Sequence, residues 1–171
     1  GFRGQVLQGD AERVVCMSST HIAMLDAIGA VENVVGVSGK DFITNPYITT
    51  NQHTIPDVGY DGNMNFELLV AQQPDIVLLF GVTGACVMES KLDELGIPYM
   101  YIGEYVEEDP LGKTEWLIAI AEIVGLREQG QMYFSEVPKR YEHLKSLVAA
   151  TQTPMPKVMI NTPYADSWFM A

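Results

Sequence analysis

Ser18, Ser19, Thr20 and His21 place three hydroxyls beside an imidazole, the group types of a nucleophile and its general base. Side chains adjacent in sequence at a helix start do not face each other. Hydroxyls there serve the first-turn N–H groups well, so the run reads as a helix cap rather than a catalytic pair. His21 stands at the end of a strand, where a ligand-binding and a capping role are both open. His53 and His143 are the other imidazoles, and no two of the three sit at metal-ligand spacing. No metal site is therefore expected. A second chemistry-bearing run is Glu104, Glu107, Glu108 and Asp109. It reads as a solvated acidic loop before it reads as an acid–base pair. Cys16 lies in an apolar segment and reads as a small core residue. Cys86 lies near a helix start without a histidine close by in sequence, and reads as inert. A Cys16–Cys86 disulfide stays open. There is no GxGxxG, no P-loop and no GxSxG, and Gly81 and Gly84 do not make a phosphate loop.

Composition narrows the function classes. The 171 residues carry a formal net charge of −12, the opposite of the basic footprint that nucleic-acid binding requires. With 47% hydrophobic residues the chain can bury a real core. No apolar run approaches the ~20 residues of a membrane span. The N-terminal GFRGQVLQGD has no apolar signal-peptide core and reads as a mature or trimmed end.

The elements that must position these groups alternate. Arg13–Met17 is expected as a strand, followed by a helix over His21–Ile28 that Gly29 ends. Val34–Val37 is the second strand. Ser38–Thr54 reads as a long polar and aromatic loop holding Asp41, Phe42, Asn45, Pro46 and Tyr47, a length more often functional than idle. Then comes Ile55–Gly81, the most informative stretch. A turn-rich loop, Gly59–Asn63, leads into a short helix capped by Asn65, with Phe66, Leu69 and Val70 inward and Glu67 outward. Glu67 there reads first as an ordinary exposed acid complementing the helix N-terminus. Pro74 stops the helix. Ile76–Phe80 is an unbroken apolar run, the pattern of a parallel strand covered on both faces.

Beyond Gly81–Ala85, a glycine-spaced turn, Val87, Met88, Leu92 and Leu95 give a helix its apolar side. Tyr99–Ile102 is a strand, Gly103–Pro110 an acidic loop and Leu111–Val124 a helix. From Arg127 to Ala150, Phe134, Val137, Tyr141, Leu144 and Val148 keep helical spacing through Pro138. One bent helix spanning roughly 35 Å is expected. After the linker Thr151–Pro156, Lys157–Asn161 reads as a strand. With Trp168 and Phe169 behind it, it reads as the start of a second domain that is cut or borrows packing.

The resulting class is α/β: a mainly parallel sheet flanked by helices, a Rossmann-like lobe, then a long helix and the first strand of another lobe. The divisions expected are residues 12–125, 126–150 and 151–171. In such sheets ligands sit at the carboxyl ends of the strands, here Ser18–His21, Ser38–Asp41, Phe80–Thr83 and Gly103–Tyr105.

Three segments carry a resemblance: RVVCMSSTHIAMLDAIGAVENVVGVS at Arg13–Ser38, IPDVGYDGNMNFELLVAQQPDIVL at Ile55–Leu78 and KLDELGIPYMYIG at Lys91–Gly103. In that order and spacing, and with the closing long helix, the chain resembles the periplasmic substrate-binding proteins of ABC importers for iron–siderophores, haem and cobalamin. The resemblance implies a non-catalytic, two-lobed protein joined by one rigid helix, periplasmic and lipid-anchored in its precursor. Such a protein holds a large chelate between its lobes and hands it to a membrane permease. Carried over by position, the ligand-binding residues are Ser19, Thr20, His21, Phe42, Tyr47, Tyr60, Phe80, Thr83, Glu104 and Tyr105. In some members an aromatic near the Tyr60 position stacks on the ligand; the loop here is shifted by one residue. Glu67 takes the place of the acid that meets permease arginines. The loops lack a basic cluster, so a highly anionic ligand needs charge from the other lobe. An iron chelate, siderophore or haem, is the first expectation and cobalamin the alternative within the family. A flavodoxin-like or nucleotide-using enzyme domain and a ligand-free interaction module are the alternatives outside it; the missing phosphate loop and base weigh against the enzyme.

Overall fold

The computed structural model describes residues 5–81, 87–151, 154 and 156–158. Four parallel strands form one sheet in the order β2-β1-β3-β4: β1 (Val14–Cys16), β2 (Val34–Val37), β3 (Ile76–Phe80) and β4 (Tyr99–Ile102). The last three match the sequence reading residue for residue. The helices are α1 (Ser19–Ala27), α2 (Pro46–Thr50), α3 (Phe66–Ala71), α4 (Val87–Leu95), α5 (Pro110–Ile123) and α6 (Arg127–Ala150).

The central strands are apolar at every position because both faces of the sheet are covered. Val14, Cys16, Ile76 and Leu78 point into one core with Ile22 and Leu25 of α1 and Leu117 and Ile120 of α5. Val15, Val77 and Leu79 point into a second core with Leu69 of α3 and Met88 and Leu92 of α4. The period of two along each strand thus divides one apolar run between two helix layers. Cys16 is a free thiol within the first core, and burial raises its pKa far above the ordinary thiol range.

Helix ends follow the sequence logic. Ser18 caps α1 by accepting from the Thr20 N–H, Asn65 caps α3 by accepting from the Leu68 N–H at 2.9 Å, and Asp109 caps α5 ahead of Pro110. α5 and α6 approach closely: a Cβ on the buried Gly130 would lie 2.5 Å from the Ala121 Cβ, so only glycine allows this contact.

Four readings are corrected. Ser38–Thr54 is not an unstructured loop: it holds a 3-10 turn over Lys40–Phe42 and the helix α2, with Asn45 accepting from the Tyr47 and Ile48 N–H groups. Asn45–Pro46 is a cap followed by proline at N1. Val70 does not turn inward but is 43% exposed, while Leu68 and Phe66 are half-buried and Leu69 is buried. Leu95, too, is exposed rather than part of the inner side of α4. Gly103–Pro110 contains a 3-10 turn over Glu104–Val106, and Glu104 in it is buried.

The chain divides into two compact units, Gly1–Lys139 and Arg140–Ala171. α6 is one helix with Pro138 inside it, not two helices split by a loop. In its stripe Phe134 and Val137 are half-buried, and Tyr141, Leu144 and Val148 are exposed. Of the strand expected at Lys157–Asn161, Lys157 and Val158 belong to neither helix nor strand. Its other residues, Trp168, Phe169, Thr83 and Cys86 lie outside the described residues. No described helix is long and apolar enough to cross a membrane.

Candidate functional site

Four parallel strands end on one edge of the sheet, so the segments that follow them share that edge. The Tyr60 loop joins them by an additional pairing. Residues 56–58 run alongside β2 through a parallel bridge between Val37 and Asp57, with the Val58 N–H donating to the Val37 carbonyl at 2.8 Å. Tyr60 therefore emerges at the same edge as Phe42.

Gly59 shapes that loop. Its φ is +85°, and a Cβ there would stand 2.3 Å from the Asn63 carbonyl oxygen, so both the conformation and the space demand glycine. Asp57 tightens the same turn by accepting from the Gly59 N–H at 2.9 Å and the Lys40 N–H at 2.8 Å. The sequence reading missed Asp57 as an organiser of the site; an Asp two residues before a glycine was the available signal.

The result is an open groove of about 790 Å³, bounded among others by Gly39, Phe42, Asp57, Tyr60, Asn63 and Glu67. Phe42 is 85% and Tyr60 65% exposed, large apolar surfaces left in water. A second open groove of about 440 Å³ also has Phe42 in its lining, with Ser19, Thr20 and Asn45 in its wall. One aromatic ring thus borders two adjoining recesses. Glu67, in the first turn of α3, is exposed.

A second aromatic pair stands at the end of β3 and in the turn after β4. The Phe80 and Tyr105 rings lie 4.7 Å apart at 44°, each about two-fifths exposed. A polar group of three joins the start of α1 to the turn after β4. The Thr20 hydroxyl donates to Glu104 Oε1 at 2.5 Å and shares a further bond with the Ser18 hydroxyl at 2.8 Å.

Burial sets these residues apart. Ser19 and Thr20 are exposed, Glu104 is 6% exposed and His21 is 0% exposed. The reading of His21 as a ligand contact is corrected on this point: its imidazole is inside the lobe. Neither His21 ring nitrogen makes a hydrogen bond of ordinary geometry, and Glu104 Oε2 is likewise without a partner among the described residues. Burial pulls the His21 pKa down to about 4, against the upward pull of the Glu104 charge and the Leu78 backbone. His21 is thus neutral at pH 7. Tyr47 is another correction: it is half-buried on α2 and packs against the first core rather than lying free in a loop. Glu107 accepts from the Trp116 indole N–H at 3.1 Å and Asp109 caps α5, so with Glu104 three of the four acids of the expected solvated loop have structural tasks.

What the arrangement offers is a broad aromatic and polar face with no nucleophile–base pair among the described residues. Among the described residues no three His, Cys, Asp or Glu side chains gather as a metal site.

A family model described as "periplasmic binding protein" matches residues 14–170. An uncharacterized lipoprotein of Methanocaldococcus jannaschii is 29% identical over 177 residues, covering 98% of this chain and 42% of the relative. Among solved structures, a periplasmic haem-binding protein from Pseudomonas aeruginosa superposes with a TM-score of 0.67 at 19% identity, over 82% of this chain and 48% of its own. The periplasmic vitamin B12 binding protein of Vibrio cholerae superposes with a TM-score of 0.61 at 19% identity, over 83% of this chain and 52% of its own. The chain therefore spans about half the length, or less, of these relatives, and the structural likenesses speak to the fold.

Proposed function

The chain belongs to the periplasmic binding protein family, and from that premise we propose that it supplies one lobe of the substrate-binding component of an ABC importer. Its ligand is a large metal chelate, an iron–siderophore or haem, held between this lobe and a second one and delivered to a membrane permease. The single observation that carries the reading is the pair of exposed rings, Phe42 and Tyr60, bounding one groove at the carboxyl edge of the sheet. Large aromatic surface kept in water at a ligand-binding edge is stabilised by a partner with extended apolar faces. Ser19, Thr20, Phe80, Thr83, Glu104 and Tyr105 complete the proposed ligand-binding set. Thr20 holds Glu104 in place, and His21 and Tyr47 support the face from within.

Glu67 is the proposed permease-docking acid. It is exposed and belongs to the same groove lining as Tyr60. It takes part in no ion pair among the described residues. An extracytoplasmic, lipid-anchored location is proposed with this role, in keeping with the lipoprotein relatives from Methanocaldococcus jannaschii.

The test is a thermal-shift series on the full-length protein with haemin, cyanocobalamin and ferrioxamine B. A ligand bound only by the folded state raises the melting temperature, by an amount set by its concentration relative to Kd. A saturable rise with haemin or ferrioxamine B supports the reading. A rise with cyanocobalamin alone moves it to cobalamin, and no rise with any of the three removes it.

A further inference from the structure

We infer that the ligand turns an uncharged or positively charged side towards this lobe, and that any anionic groups it carries face away from the Phe42–Tyr60 groove. The inference rests on the chelate-binding reading above and narrows the chemical class of the chelate.

The segments after the strands, Ser18–His21, Ser38–Asn65, residues 81–86 and Gly103–Asp109, hold one lysine or arginine between them, Lys40. The same segments hold Asp41, Asp57, Asp61, Glu104, Glu107, Glu108 and Asp109, and Glu67 follows directly. Lys40 is not available to a ligand. Its ammonium donates to the Gln52 carbonyl at 2.5 Å and the Ile55 carbonyl at 2.8 Å, folded back to tie down the end of the α2 segment. Lys113 of α5, the cation beside the Glu104 turn, is likewise directed to backbone oxygens, those of Glu104 at 3.4 Å and Tyr105 at 3.3 Å.

Two of these acids are held in place by hydrogen bonds. Asp57 accepts two backbone N–H groups, and Glu104 accepts the Thr20 hydroxyl. Both stand at the carboxyl edge of the sheet that bears the aromatic rings. Closing a ligand against this face removes water, which strengthens every remaining electrostatic interaction. An anionic chelate would bring unpaired negative charge onto a desolvated, negatively charged surface, the costliest combination available. An uncharged chelate meets aromatic faces with no such cost, and a cationic one gains from ring faces and carboxylates together.

The test uses the full-length protein and three chelates of graded charge: ferrioxamine B (a cationic hydroxamate chelate), cyanocobalamin (uncharged) and ferric enterobactin (a trianionic catecholate chelate). Affinities are measured by intrinsic-fluorescence titration for the natural sequence and for Asn63→Lys, which adds a cation to the groove at an exposed position. The expected result is that the cationic or the uncharged chelate binds at least about tenfold tighter than the trianionic one. Asn63→Lys should then narrow that ratio by about tenfold. Tightest binding of the trianionic chelate overturns the inference and leaves the chelate-binding reading intact. A ratio unchanged by Asn63→Lys also overturns it, since the preference then arises away from this groove. No binding of any of the three overturns the inference, and together with no thermal shift by haemin it removes the chelate reading as well.

Discussion

Thr20 and Glu104 are joined across 84 residues of sequence by one hydroxyl–carboxylate hydrogen bond. That bond ties the first turn of α1 to the turn after β4, two segments that meet only at the carboxyl edge of the sheet. It fixes the spacing of the loops that bear the proposed ligand contacts. Glu104 is nearly buried and its other oxygen has no partner among the described residues. Removal of the Thr20 hydroxyl therefore leaves a buried carboxylate without its bond. Thr20→Val should lower stability by about 1–3 kcal/mol. Adding Glu104→Gln to Thr20→Val should cost less than the sum of the single changes, because the two side chains act as one unit. Urea unfolding of the two single variants and the double variant at pH 7 checks both statements.

His21 gives the fold a defined pH response. Burial holds its pKa near 4, below the ordinary value of 6.5, so the unfolded chain takes up the proton first as pH falls. Stability from this group is complete above pH 6.5 and is lost as pH falls from there to about 4. The loss is on the order of 3 kcal/mol and levels off below that range. His21→Leu, which removes the titrating group, should flatten this part of the profile. Urea midpoints between pH 7 and pH 4 compare the two proteins. A natural protein as insensitive as the variant would contradict the buried neutral imidazole.

Glu67 should separate stability from docking. An exposed side chain without an ion pair among the described residues contributes little to folding, so Glu67→Ala should change stability by no more than about 0.5 kcal/mol. Complementary charge acts mainly on encounter with a partner, so the same variant should dock more weakly to the reconstituted permease, most of all at low salt. A docking rate equal to that of the natural protein at low salt would remove the proposed role.

The elements that repeat a simple pattern were legible in advance. β2, β3 and β4 were readable to the residue because an apolar run bounded by Gly, Pro or Asn has few other uses. The helices α1, α3 and α5 followed from their caps and closing residues. α2 was not seen, because five residues are too few for a periodic pattern; only its Asn45–Pro46 start marked it. The face of α3 was misread at Val70, since a helix of six residues leaves the choice between Leu68 and Val70 to tertiary packing. The burial of Glu104 and His21 was not legible at all. Each depends on a segment far away in sequence, Thr20 for one and the sheet and its helix layer for the other. The exposure of Phe42 belongs to the same class, because only the folded chain shows that no core receives its ring.

The central claim is that the Phe42–Tyr60 face receives a large chelate. Isothermal titration of the full-length protein with ferrioxamine B, haemin and cyanocobalamin, repeated for Phe42→Ala/Tyr60→Ala, tests it most directly. Both rings are exposed, so the double variant should fold with nearly unchanged stability. The account predicts saturable one-to-one binding of one of these chelates by the natural protein and a loss of affinity of about tenfold or more in the double variant. Equal affinity in the two proteins, or no binding of any chelate, would contradict it.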